Sequence, residues 1–229
     1  MVKWGVIGTG TISKAFCDSI RYSKEGELAA VASRSSKNLK YFSDKYSVDT
    51  YDSYDALLND SLIDAIYIGT PHNSHFDLSL KTLRCGKHLL CEKPMTMNST
   101  EAMILLNEAR KTNLFFMEAF MYRCHPLTHK MLELVKQEFS NQEVLIESSF
   151  GFAADVDEKH RLKNPELGGG SILDIGCYPL SMARLIAGSL VGNSFADPLK
   201  ISASGELSSN NIDLNAKAEL EFSPKIKAS

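Results

Sequence analysis

The feature that most constrains this chain is Gly8-Thr9-Gly10-Thr11-Ile12-Ser13, a glycine loop set between an apolar strand-like run at 2–7 and a helical pattern at 12–22. Glycines at such a junction let the backbone approach a pyrophosphate, and the start of the following helix supplies free N–H groups and the positive end of its dipole. Where a third glycine of the fingerprint would stand, Ser13 keeps the position small. The unit then repeats. Strand-like runs at 28–32, 65–68, 88–91 and 114–117 alternate with helical patterns at 37–46, 54–58, 75–85 and 99–111. This alternation predicts a parallel sheet flanked by helices, with ligands gathering at the carboxyl ends of its strands. Those ends fall at Gly8, Ser33, Thr70, Glu92 and Glu118.

The pattern changes after about Phe139. Residues 143–152 alternate like a strand, a Gly168-Gly169-Gly170 break follows, 173–187 reads as a helix, and 200–207 and 211–222 read as antiparallel strands. The expected architecture is therefore α/β. A Rossmann-type parallel-sheet domain over 1–122 precedes an α+β domain over 123–229 with a largely antiparallel open sheet.

Composition narrows the partners. With 44% apolar residues, 23% charged residues and a formal charge of -3 over 229 residues, the chain can bury a core. The same balance excludes disorder and a strongly basic nucleic-acid binder. The five cysteines are odd in number and show no CxxC spacing, which argues against a disulfide framework or a zinc site and fits a reducing, cytoplasmic setting. The N-terminus runs straight into the glycine loop with no leader pattern, and no apolar run reaches the ~18 residues of a membrane span. A small molecule is the expected ligand.

The second strand ends in Ala32-Ser33-Arg34-Ser35-Ser36-Lys37, without the Asp or Glu that would hold ribose hydroxyls in an NAD-selective domain. Hydroxyls beside cations suit a phosphate. Arg34 can present its fork of donors to a 2′-phosphate, with Ser33, Ser35 and Lys37 adding hydrogen bonds and charge, so NADP is expected in preference to NAD. Further on, Glu92-Lys93-Pro94 follows an apolar strand, which places Lys93 at the carboxyl edge of the sheet.

Four motifs in order, the glycine loop, Thr70-Pro71-His72-Asn73-Ser74-His75, Gly86-Lys87-His88 leading to Glu92-Lys93-Pro94, and Gly168-Gly169-Gly170 leading to Asp174-Ile175-Gly176-Cys177-Tyr178, give the chain a resemblance to the Gfo/Idh/MocA oxidoreductases. Within that family, Glu118-Ala119-Phe120-Met121-Tyr122-Arg123 and Tyr178 are most similar to the trans-1,2-dihydrobenzene-1,2-diol dehydrogenases and NADP-dependent D-xylose dehydrogenases. Many relatives carry histidine where Tyr178 stands, which narrows the subgroup. The resemblance implies a dehydrogenase acting on a sugar or trans-dihydrodiol hydroxyl, with Tyr178 as general acid/base, Lys93 lowering its pKa and Asp174 as a polar contact. A tyrosine of ordinary pKa ~10 needs such a cation to serve as a base near neutral pH. It also implies that Gly8, Thr9, Gly10, Thr11, Ile12, Ser33, Arg34, Thr70, Pro71, His75, Glu92 and Lys93 line the cofactor.

Several positions admit two readings. Asp174 could equally cap a helix after Gly170-Ser171, and Arg123 could pair with Glu118 or face the substrate. Phe150 and Phe152 could line an apolar substrate surface or a core, and His160-Arg161 could contact a ligand or water. The three-residue spacing of His72 and His75 has no carboxylate or cysteine to complete a metal site, so no metal is expected. Relatives have a longer second domain whose open sheet forms a homodimer surface, and the resemblance implies that part of that domain is missing here. Two classes therefore stand: an active NADP-dependent dehydrogenase, and a catalytically impaired NADP-binding member, either sensor or remnant.

Overall fold

The computed structural model describes residues 1–157 and 159–229, and the chain divides into two compact units, Met1–Ala119 and Phe120–Ser229. The first unit contains β1 (Val2–Ile7), α1 (Thr11–Ile20), β2 (Gly26–Ala32), α2 (Ser36–Tyr46), β3 (Asp49–Tyr51), α3 (Tyr54–Leu58), β4 (Ala65–Ile68), α4 (His75–Arg84), β5 (His88–Cys91), α5 (Ser99–Thr112) and β6 (Phe116–Glu118). Its strands form one parallel sheet in the order β3-β2-β1-β4-β5-β6. That is the doubly wound Rossmann order, whose direction reverses between β1 and β4 and leaves a ligand crevice there.

Short apolar runs explain the sheet. Every residue of β4 is buried, as are Val6 and Ile7 of β1 and Ala30 to Ala32 of β2, because helices cover both faces. Leu57, Leu58, Ile63 and Leu83 close one side, and Cys17, Phe42 and Tyr67 pack with Trp4 and Phe16 on the other. The helix starts are written in the sequence: Ser35, Ser53 and Asn98 each accept a backbone N–H at the N-cap of α2, α3 and α5.

The second unit contains α6 (Pro126–Phe139), β7 (Val144–Ile146), α7 (Cys177–Leu190), β8 (Lys200–Leu207), β9 (Asp213–Ser223) and β10 (Ile226–Ala228). The strand order is β7-β10-β9-β8, parallel between β7 and β10 and antiparallel elsewhere. Its core lies at one end of the sheet, where Ile146, Leu220, Phe222, Ile226 and Ala228 meet Ala183, Ala187 and Leu190 of α7. All of β8 is exposed.

The structure departs from the sequence reading in several places. The strand expected over 143–152 is only Val144–Ile146, because its one partner among the described residues, β10, is three residues long. Phe150 and Phe152 therefore lie on irregular chain and are exposed. The strand expected at 114–117 is shifted to Phe116–Glu118, in register with Leu89 to Cys91 of β5. The helix expected over 173–187 opens with a π-helical turn, Ile172–Gly176, before α7 begins. Helix α6 went unread, although His125 caps it by accepting the Leu127 N–H and Pro126 occupies its first position.

Candidate functional site

In the first unit the glycine loop turns out of β1 through Gly8, whose φ of +102° is left-handed and whose absent Cβ would lie 2.8 Å from the Gly69 carbonyl oxygen. Only glycine fits that approach. Helix α1 then starts at Thr11 with no side-chain cap and no acidic residue in its first turn, an arrangement suited to an anion. Ser13 is buried and donates to the Gly69 carbonyl at 3.4 Å, seating the helix against the end of β4 in place of a third glycine. Gly10, Thr11 and Ile12 are exposed along the loop, and Thr9 is half-buried. These features fit a dinucleotide pyrophosphate.

At the end of β2, Arg34 is exposed and lines a cavity of about 320 Å³ with Tyr54, Thr70, Pro71, Asn73 and Asp77. Ser33 is buried instead, and its hydroxyl meets Thr9 Oγ1 at 2.9 Å and the Ser35 N–H at 3.2 Å. The Ser33 hydroxyl is thus bonded within the protein, to Thr9 and the Ser35 backbone.

The ends of β4 and β5 are tied together by His75. Its ring is fully buried, with Nδ1 2.7 Å from the Pro94 carbonyl oxygen and Nε2 2.8 Å from the Thr70 carbonyl oxygen. Burial pushes its pKa below the ordinary value, and the two carbonyls pull against that. Glu92 accepts the Tyr67 hydroxyl at 2.7 Å through one oxygen and the Lys93 N–H at 3.3 Å through the other. Burial, reinforced by the Glu92 charge, pushes the Tyr67 pKa upward and keeps that phenol a donor. Glu118 accepts the Met95 N–H at 2.8 Å. The loop carrying Lys93 and the cis Lys93-Pro94 bond is therefore held on three sides.

In the second unit, Asp174 sits inside the π-helical turn, donating its own N–H to the Gly170 carbonyl, so it is not a helix cap. Capping falls to Asp213, which accepts the Ser171 hydroxyl and the Ile172 N–H at 2.8 and 2.6 Å. Gly170 has φ +115°, and a Cβ there would strike the Asp213 carboxylate. The buried Asp174 carboxylate takes Arg161 Nη1 at 2.9 Å, which gives Arg161 a partner inside the protein. Tyr178 follows on the first turn of α7. Its ring stands edge-on to Phe120 at 5.4 Å and to Phe150 at 5.6 Å, near Tyr122 at 6.2 Å, and its hydroxyl lies 3.7 Å from Met121 Sδ. Phe150 joins this aromatic group rather than a sheet face.

Among the described residues no three His, Cys, Asp or Glu side chains gather as a metal-binding group, and no helix is long and apolar enough to cross a membrane. The five cysteines are free thiols, and burial pushes Cys17 and Cys91 up to about 12, which keeps them protonated.

Residues 2–120 match the family model GFO_IDH_MocA, described as an oxidoreductase family with an NAD-binding Rossmann fold. The chain belongs to the Gfo/Idh/MocA oxidoreductase family. It is 34% identical over 229 residues to a trans-1,2-dihydrobenzene-1,2-diol dehydrogenase of Xenopus laevis, covering 99% of this chain and 67% of that one. It is 38% identical over 188 residues to a D-xylose 1-dehydrogenase (NADP(+)) of Haloferax volcanii, covering 81% and 57%. Among solved structures, a 3-ketoreductase of Actinomadura kijaniata in complex with NADP and TDP-benzene superposes with a TM-score of 0.84 at 27% identity, covering 99% and 68%. The chain thus spans about half to two thirds of the length of the curated relatives it matches.

Family membership gives the first unit an NAD(P)-binding role, which the glycine loop and α1 are shaped to fill. Within that unit the structure brings Thr9 to Ser33, and Thr70 and Pro94 to His75. Within the second it brings Asp174 to Arg161 and gathers aromatic rings around Tyr178. Sequence reasoning gave no role of their own to Tyr67, Met121 and Asp213. A tyrosine in the centre of a fully apolar strand, with a carboxylate just beyond the neighbouring strand, was the one available signal, since buried phenols take a partner.

Proposed function

We propose that this family member is an NADP-dependent dehydrogenase acting on a CH–OH group of a sugar or a trans-dihydrodiol. The observation that carries the reading is the Lys93 loop: His75, Glu92 and Glu118 fix it at the strand ends beyond a pyrophosphate-type glycine turn. A protein that only bound a dinucleotide has no use for a tyrosine and lysine retained together. NADP, when bound, accepts the hydride of the oxidation. The chain's own residues do the rest. The glycine loop and α1 bind the pyrophosphate, and Arg34 presents paired donors to the 2′-phosphate. Tyr178 Oη is assigned the proton of the substrate hydroxyl, and Lys93 is assigned the role of cation. Asp174, steadied by Arg161, offers an acceptor to a second hydroxyl.

The relatives support this reading by their names: a dihydrodiol dehydrogenase and an NADP-dependent D-xylose dehydrogenase. Solved forms of the 3-ketoreductase include a tyrosine-to-phenylalanine variant and a lysine-to-glutamate variant, the two residue types assigned here to proton transfer and charge.

The test is the initial rate of NADP reduction by this chain on D-xylose, D-glucose and a trans-dihydrodiol, beside Tyr178→Phe. Turnover on one of these substrates that falls about a thousandfold in the variant, with NADP affinity within about twofold, is expected. Turnover that survives in Tyr178→Phe removes it as the proton-transfer group. A wild-type chain that binds NADP and turns over none of them supports the non-catalytic class.

A further inference from the structure

The corner where β1 and β2 end holds one continuous chain of hydrogen bonds. Asn38 Nδ2, on the first turn of α2, donates to Thr9 Oγ1 at 3.1 Å; Thr9 Oγ1 and Ser33 Oγ are 2.9 Å apart; the Ser35 N–H donates to Ser33 Oγ at 3.2 Å. Both ends are amide N–H groups, which can only donate. The middle bond must therefore have a direction. Ser33 is 5% exposed, and among the described residues its hydroxyl meets no acceptor other than Thr9, so a hydrogen aimed elsewhere would be buried unpaired and cost its full desolvation. Ser33 donates to Thr9. Thr9 Oγ1 then receives both Asn38 and Ser33, which fills its two acceptor sites and leaves only its own O–H, on a half-buried residue that can offer it outward.

We propose that Asn38 is a positioning residue for cofactor choice: by filling the acceptor capacity of Thr9 it turns that hydroxyl into a pure donor, matched to a phosphate oxygen of NADP. Two donors feeding one hydroxyl also polarise it, which strengthens the bond it makes to an anion. A ribose hydroxyl needs an acceptor as well, and this pair of hydroxyls offers it none. The inference rests on the NADP reading above and names the residue that sharpens it.

The test is a double-mutant cycle read by calorimetric binding of NADP and NAD, with Arg34→Ala beside it. Thr9→Val is expected to weaken NADP about tenfold and Asn38→Ala roughly threefold, with NAD changed less than about twofold in each. Because Asn38 acts through Thr9, Asn38→Ala added to Thr9→Val is expected to cost less than about twofold more, and Thr9→Ser to restore most of the affinity. Additive losses, or equal losses for both cofactors, overturn the role of Asn38. The NADP reading has its own outcome: wild-type chain binding NAD as tightly as NADP, with Arg34→Ala affecting both alike, overturns that reading and this inference with it. NADP preference that depends on Arg34 but not on Asn38 overturns this inference alone.

Discussion

The two units build their sheets on opposite terms. In the first, helices cover both faces and β4 is wholly buried; in the second, α7 covers one end of the sheet and β8 is exposed along its whole length. Their chemical groups follow the same division. The loop that carries Lys93 is fixed by Glu92, His75 and Glu118, each through a bond of 3.3 Å or shorter. Tyr178 sits instead among aromatic edges, with its hydroxyl 3.7 Å from a thioether. On the function proposed above, a fixed loop suits the charge assigned to Lys93, and polarisable neighbours suit the proton transfer assigned to Tyr178.

If the comparison holds, Lys93 is the place where it breaks most visibly. On the function proposed above, Lys93→Met keeps the stem and removes the charge, so turnover is expected to fall about a thousandfold, with the remaining activity rising at alkaline pH. A pH-rate profile displaced toward higher pH is the readout. An unchanged profile with a uniform loss assigns Lys93 to substrate orientation alone.

The sheets themselves can be compared by truncation. Ile66 is fully buried at the centre of β4, and Ile201 on β8 is 61% exposed. Ile66→Ala is expected to cost about 2–5 kcal/mol through lost burial and a cavity, and Ile201→Ala less than about 0.5 kcal/mol. Denaturant titration measures both. Similar losses at the two sites mean that the exposed face of β8 is covered by something in solution.

How far the sequence disclosed this molecule depends on the range of the interaction concerned. The glycine loop, the Ser33-Arg34 turn and the Glu92-Lys93-Pro94 segment were legible because each is a local pattern attached to a strand end. Periodicity likewise gave β1, β4, β5, β8 and β9 almost to the residue, since apolar runs and alternation are local. Three-residue strands such as β3 and β10 carry no periodicity to read. The long-range bonds were hidden for another reason: His75 meets Pro94 19 positions later, Glu118 meets Met95 across 23 and Arg161 meets Asp174 across 13. Nothing within a window of ten residues specifies those partners. The ambiguity between cap and site at Asp174 had the same origin, because the true cap, Asp213, lies about forty positions later at the start of β9.

The finest test of the rigid half lies in His75. Two carbonyl oxygens face its ring, so an imidazolium could donate to both, whereas a neutral ring leaves one carbonyl against a lone pair. Against that gain stands the removal of a cation from water at a fully buried position, and burial is the larger effect, leaving the folded pKa below the ordinary 6.5. The folded ring then binds its proton more weakly than the unfolded one. Between the lowered folded value and 6.5 the unfolded chain holds more protons, so the stability contributed by His75 is complete above 6.5 and is lost as pH falls through that window. Melting temperatures of wild type and His75→Gln, measured from neutral to acidic pH, should therefore diverge most above 6.5 and converge on acidification. A wild type that gains on the variant as pH drops would mean that the ring binds its proton more tightly when folded. The two carbonyls would then outweigh burial, and the cross-brace beneath Lys93 would carry a positive charge of its own.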